Sequence, residues 1–209
     1  MKNRKKAILI ALAIGDGHIA YTKRTNPHKK IYSILRLIHS SKQREYITYK
    51  RDLLHSLVGG KSPNLYEFNN SGYSGIRFNK RHKYFRVIRK WLYRDDKKHI
   101  TRFLLDKLTP EAIAIWWMDD GSMYKKRNSK TGKIKACEGI LSTYISEEDN
   151  QIIIDYFKEV HDIEFRVVKS KNSYRLRLNT ANCRKFAKLV KPYIIPSMLY
   201  KIDVSTKNN

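Results

Sequence analysis

Two stretches of this chain are apolar at every position, and each ends in aspartate followed by glycine. Ala7 to Ile14 runs into Gly15-Asp16-Gly17, and Ala112 to Met118 runs into Asp119-Asp120-Gly121. Length alone does not separate a buried helix from a buried strand here. The second copy decides it, because Thr109-Pro110-Glu111 supplies an N-cap, a proline at the first helical position and an early acid. A helix that is apolar all round must be buried on every side. Two of them in one chain pack most simply against each other, with Ala11, Ala13, Gly15, Ala112 and Ala114 allowing close approach.

The pattern around these helices repeats. Ile76-Arg77-Phe78-Asn79 is echoed by Leu176-Arg177-Leu178-Asn179, and Lys83-Tyr84-Phe85 by Arg184-Lys185-Phe186. Each echo falls about a hundred residues later, as Asp120 does after Asp16, which argues for a duplicated unit. Strand-like segments are predicted at 18–24 and 31–39 and again at 121–127 and 134–143. Helices follow Ser41 and Ser146, the latter with Glu147, Glu148 and Asp149 in its first turn. Further strand pairs read at 63–68 and 74–79 and at 163–169 and 173–179, and basic helices at 81–93 and 181–190 close the units. The fold class is therefore mixed α/β (α+β): two pseudo-twofold αββαββα units, residues 1–95 and 109–209. A charged linker at 96–108 joins them.

Alternation gives each sheet two characters. Leu176 and Leu178 point one way, Arg175 and Arg177 the other, so a core side opposes an anion side. The whole chain leans the same way, with 44 Lys plus Arg against 19 Asp plus Glu and a formal charge of +25. A polyanionic partner is implied, and a long basic surface suits a duplex better than a small phosphate ligand. Base readout is expected from Arg24, Arg36, Arg77, Lys126, Lys135, Arg175 and Arg177. A membrane partner is not expected, since the cations do not gather on one amphipathic helix and the apolar runs are far short of a span.

Asp16 and Asp120 stand at the C-terminal ends of their helices, where the macrodipole is negative, and helix pairing adds like-charge repulsion. Positions unfavourable twice over call for a cation. Oxygen-only ligation, with no His or Cys expected nearby, points to Mg²⁺ or a similar hard ion, and such ions support phosphodiester hydrolysis. Cys137 and Cys183 lie far apart and suggest neither zinc nor a disulfide, in keeping with a reducing, intracellular location. Gly59-Gly60-Lys61-Ser62 lacks the upstream glycine of a P-loop, with His55 in that place. The seven histidines show no ligand spacing and are expected on the surface or in the groove.

Leu9 to Gly17 (LIALAIGDG) and Ile113 to Gly121 (IAIWWMDDG) resemble the two motifs of single-chain LAGLIDADG homing endonucleases. Lys98-His99-Ile100 and Ile195 to Lys201 are similar to further stretches of that family. The first motif departs from the pattern at Ile14-Gly15 but keeps Asp16. The resemblance implies Asp16 and Asp120 as metal-binding catalytic residues, with the backbone carbonyls of Gly15 and Asp119 close by and Mg²⁺ or Mn²⁺ as cofactor. It implies that Lys98, or its neighbour Lys97, and Lys201 enter the active site. It also implies antiparallel saddle sheets that grip double-stranded DNA while a monomer cuts both strands across the minor groove. Intron RNA maturase or plain DNA binding are the alternatives carried by the same fold, with intron RNA then a possible partner. A bacterial or phage-infected cytoplasm, or a mitochondrion, is the expected location.

Overall fold

The computed structural model describes residues 2–21, 32–170 and 173–203. The first half runs α1 (Lys2–Ile14), β1 (His18–Tyr21), β2 (Ser33–Ser40), α2 (Arg44–Val58), β3 (Tyr66–Asn70), β4 (Tyr73–Arg81) and α3 (Lys83–Leu92). A short hairpin of β5 (Tyr93–Arg94) and β6 (Lys97–Lys98) and one turn of helix, α4 (Arg102–Leu105), lead into the second half. There α5 (Pro110–Asp120), β7 (Gly121–Arg127), β8 (Ile134–Leu141), α6 (Glu147–His161), β9 (Arg166–Ser170), β10 (Ser173–Leu178) and α7 (Thr180–Val190) repeat the order. Two 3-10 turns, Lys191–Tyr193 and Pro196–Ile202, close the described chain.

Both sheets are antiparallel with matching strand orders, β1-β2-β4-β3 and β7-β8-β10-β9. Several strand limits shift by a few residues from the sequence reading. β3 starts at Tyr66 rather than near 63, because the Gly59 to Asn64 stretch first has to leave the C-terminus of α2. The Gly59 amide donates to the His55 carbonyl at 2.8 Å, and Gly59 and Gly60 both adopt positive φ, so the P-loop-like segment is a helix cap. The segment between the halves is not a bare linker, since β5, β6 and α4 all fall within or beside it.

α1 and α5 form the centre and run side by side in the same direction. Arg4 in the first turn of α1 makes two 2.6 Å hydrogen bonds to Glu111 in the first turn of α5. Thr109 caps α5 by accepting from the Ala112 amide at 3.3 Å. At the other end the helices touch so closely that a Cβ on Gly15 would collide with the Asp119 side chain. Ala7 to Ile14 and Ala112 to Met118 are all buried, as runs with no polar face require. Each fully buried Ile, Leu or Met in them contributes roughly 1.5–3 kcal/mol, so this interface is a main source of stability. It also sets the separation of the two motif aspartates at the helix ends.

Candidate active site

Both motif aspartates emerge at the same end of the helix pair. Asp120 is the last residue of α5 and Asp16 lies just beyond α1. They line one open cleft of about 730 Å³, together with Lys98, His99 and Tyr144. Lys98 reaches α1: its Nζ donates to the carbonyls of Ile14 at 3.0 Å and Gly15 at 2.6 Å. Lys97, its exposed neighbour on β6, does not share these bonds among the described residues. Lys201 reaches α5 in the same manner, donating to the Asp119 carbonyl at 3.0 Å. Its own backbone is pinned where the Trp117 indole donates to the Lys201 carbonyl at 2.9 Å. Each half thus presents one carboxylate, one helix-end carbonyl and one lysine.

The electrostatics of this end are strained. Burial pushes the Asp120 carboxyl up to about 8, and neighbouring Asp119 and Asp16 add to the shift. Burial and then Asp119 also raise Asp16. The repulsion expected from the sequence is present, but desolvation is the larger part. Lys98 and Lys201 are both held below the ordinary lysine range, chiefly by burial. The Trp116 indole donates to Asp120 Oδ2 at 3.1 Å and orients that carboxylate.

Asp119 behaves differently from its neighbour. Its side chain is fully withdrawn from solvent and meets the equally buried Lys50 in an ion pair. Tyr46 donates to the same oxygen at 2.6 Å, and the Asp16 amide donates to the other at 3.0 Å. Burial alone would raise this carboxyl, but Lys50, His39 and the hydrogen bonds hold it below its usual value. Its carboxylate is occupied, whereas its carbonyl faces Lys201. His39 corrects the reading that all histidines are surface or groove residues and that none lies near the motif aspartates. It is 4% exposed, and its Nδ1 lies 3.6 Å from Asp16 Oδ2. Ligand atoms of Asp16, His39 and Asp119 fall within 4.8 Å of one another. Burial and Lys50 depress this imidazole to about 4, so it is neutral. Nε2 then accepts from Lys50 at 3.1 Å while Nδ1 faces Gln43 Oε1 at 3.2 Å. Both ring nitrogens are therefore engaged inside the protein.

The donor set fits a hard divalent cation. Two carboxylates with raised affinity for protons are under-compensated by the nearby lysines, and the carbonyls of Gly15 and Asp119 retain a second lone pair each.

The family model described as LAGLIDADG DNA endonuclease matches residues 6–186. The chain belongs to that family. Protein RecA of Mycolicibacterium flavescens is 27% identical over 211 residues, which cover 97% of this chain and 47% of the relative. The chain thus spans about half the length of the curated relatives it matches first. Probable intron-encoded DNA endonuclease 3 of Mycosarcoma maydis is 29% identical over 99 residues, covering 47% of this chain and 67% of the relative. Among solved structures, the homing endonuclease I-WcaI bound to its DNA recognition sequence is 25% identical with a TM-score of 0.76. That match covers 96% of this chain and 86% of I-WcaI. The meganuclease I-AabMI bound to uncleaved DNA covers 94% and 87% at 10% identity and a TM-score of 0.61, a likeness of fold.

In this LAGLIDADG protein each sheet has a helix-covered face and an open face. Arg36 stands opposite Asn79, and Arg77 opposite Ile38, on the open face of the first sheet. The Arg77 guanidinium sits 5.6 Å from the Phe68 ring centroid. On β10, Leu176 and Leu178 are buried while Arg177 is exposed and Arg175 half-buried, as the alternation predicts. Lys126 and Arg177 both contact Glu138. Lys135 is skipped where β7 and β8 slip register, so the bulge, not alternation, sets its direction. Arg24 lies outside the described residues. No helix of the described residues is long and apolar enough to cross a membrane.

The sequence reading missed Lys50, Tyr46, His39 and Glu138. A signal existed for two. Lys50 occupies the buried stripe of α2 with Tyr46, Ile47 and Leu54, and His39 continues the buried parity of Leu35 and Leu37. A cation and an imidazole on core faces mark polar groups that must find partners.

Proposed function

We propose that this chain is a site-specific homing endonuclease that hydrolyses both strands of a long, asymmetric double-stranded DNA target with Mg²⁺ or Mn²⁺, acting as a monomer. The observation that carries the reading is the paired arrangement at the helix ends. Lys98 donates to the Gly15 carbonyl beside Asp16, and Lys201 donates to the Asp119 carbonyl beside Asp120. Two equivalent sets of groups suit two scissile phosphates. Asp16 and Asp120 would hold the metal, with the Gly15 and Asp119 carbonyls as neighbouring oxygens. A bound divalent cation supplies water activation and stabilisation of the leaving oxygen.

The protein's own groups do the rest. Lys98 and Lys201, kept partly desolvated by burial, offset charge on the phosphate in a setting where an ammonium acts more strongly than in water. The Trp116 indole fixes the direction of the Asp120 carboxylate, and the bond from the Asp16 amide to the Asp119 side chain anchors the backbone that carries Asp16. The open sheet faces, with Arg36, Arg77, Lys126, Arg175 and Arg177, would track the major groove on either side. I-WcaI bound to its recognition sequence is the similar structure that supports a duplex partner.

Selection of cleaved sequences from a random duplex library in Mg²⁺ tests the proposal. A single long preferred site, cut on both strands and spared in EDTA, is the expected result. Site-selective binding without cleavage would leave a DNA-binding member of the fold, and metal-independent cutting would remove Asp16 and Asp120 from their role.

A further inference from the structure

The open faces of the two sheets mix cationic, polar and apolar side chains, such as Arg77, Asn79 and Ile38, and carry one acid. Strand register puts Glu138 of β8 directly opposite Tyr124 of β7, on the open side. Among the described residues it is the one acidic side chain at an outward position of either sheet. It is also hidden there, with its side chain 8% exposed. Tyr124 donates to Oε2 at 2.7 Å, Lys126 Nζ lies 2.6 Å from Oε1, and an Arg177 Nη2 N–H donates to Oε1. Counted from the motif aspartates, the first sheet has Ala20 and Ile34 where Tyr124 and Glu138 stand. The device therefore belongs to one half alone.

A carboxylate facing a duplex meets phosphates and base acceptors, which repel it. Burial under three donors removes that penalty and leaves Glu138 no direct access to a base. Its effect on DNA has to pass through the cations it holds. Each of those keeps donors to spare: Arg177 its remaining guanidinium N–H groups, Lys126 two ammonium protons. Two long side chains are thus ordered before DNA arrives, which spares that ordering cost on binding.

We propose that Glu138 is a positioning residue for base readout, fixing Arg177 and Lys126 so that their free donors read the O6 and N7 acceptors of guanine at one or two adjacent base pairs beneath the second sheet. This rests on the reading of the chain as a site-specific DNA-binding nuclease.

The test is a binding selection from a random duplex library in Ca²⁺, followed by affinities for all four bases at each preferred position. Wild type, Glu138→Gln, Arg177→Ala and the double variant are compared. Glu138→Gln should lower discrimination by about tenfold at the positions that Arg177→Ala affects, all within one half-site. The double variant should lose no more there than Arg177→Ala alone. Retained discrimination, or a loss spread evenly over both half-sites, would overturn the proposal. Should Glu138→Gln fail to fold, Lys126→Ala and Arg177→Ala carry the test at partly exposed side chains. Coupled through one carboxylate, their effects on discrimination are non-additive, and strict additivity would overturn the idea. A wild-type protein that binds all duplexes alike would overturn this proposal and the nuclease reading together, whereas wild-type specificity left intact by Glu138→Gln overturns this one only.

Discussion

The backbone amide of Asp16 donates to the side chain of Asp119 across the central helix pair at 3.0 Å. The two motifs therefore hold each other directly, and the doubled acid of the second motif divides its labour. Asp120 points into the cleft with its proton affinity raised, while Asp119 turns inward to Lys50, Tyr46 and the Asp16 amide. Only the carbonyl of Asp119 is left for the cleft side, where Lys201 meets it.

Replacing Asp119 by Asn is expected to destabilise the fold strongly. Lys50 would lose its carboxylate partner at a position with no solvent exposure. Breaking a buried pair from one side costs roughly 3–5 kcal/mol, whereas an apolar replacement of both partners is often near neutral. Chemical denaturation should therefore show a large loss for Asp119→Asn and substantial recovery on adding Lys50→Met. A small loss in the single variant would mean that water reaches Lys50.

Asp120 is expected to make the metal-free protein more stable at mildly acid pH. Its carboxyl is held up to about 8, against about 3.9 in an unfolded chain. Between these values the folded state keeps a proton that the unfolded state has released, so stability falls as pH rises through the window. Asp120→Asn removes that dependence. In EDTA it should flatten the pH profile and be more stable than wild type near pH 8, by about 0.5–2 kcal/mol. A variant that is less stable there would mark Asp120 as a structural cap.

Much of this arrangement is legible in the sequence. Wholly apolar runs ending in Asp-Gly define the central helices, and strand alternation sets which way Arg177 faces, because both depend on burial alone. The limits of β3 and the hairpin at Tyr93 to Lys98 are not legible, since cap geometry and short pairings leave little trace in hydrophobic periodicity. Lys50 and His39 could have been suspected from their core positions. Glu138 could not, because an acid among cations on an outward strand face reads as ordinary surface charge until register supplies its partners.

Cleavage and binding should separate at the motif aspartates. Asp16→Asn and Asp120→Asn remove carboxylate charge from the cleft without touching the sheets, where most duplex contacts are expected. Cleavage in Mg²⁺ should collapse in both variants, while binding measured in Ca²⁺ persists. Retained cleavage by either one would detach that residue from the chemistry.

Readout and grip should separate in the same way between sheet and helix residues. Arg175 and Arg177 lie on β10, whereas Lys83 and Lys188 sit exposed on α3 and α7, on the helix side of the molecule. Alanine at either arginine should relax base preference locally by about 1–3 kcal/mol. Alanine at either lysine should leave preference unaltered. Uniform weakening by all four would mean that the strand face has been misassigned.

Salt dependence of DNA binding should follow from how charge is distributed along the chain rather than from any single residue. A chain of formal charge +25 with two open basic sheets should neutralise phosphates along the whole target. Each contact releases counterions, so the logarithm of the binding constant should fall with the logarithm of salt at a slope near −0.9 per phosphate. Two saddles gripping a long duplex imply roughly six or more such contacts, and so a slope steeper than about −5. The internal pairings lower the number of free cations without abolishing the effect: Arg177 and Lys126 share Glu138, and Arg89 meets Asp96. Titrating a selected duplex against the protein at several salt concentrations measures the slope. A value near about −1, the slope of a single phosphate contact, would mean that the cations are solvated surface and that the sheets do not track the duplex.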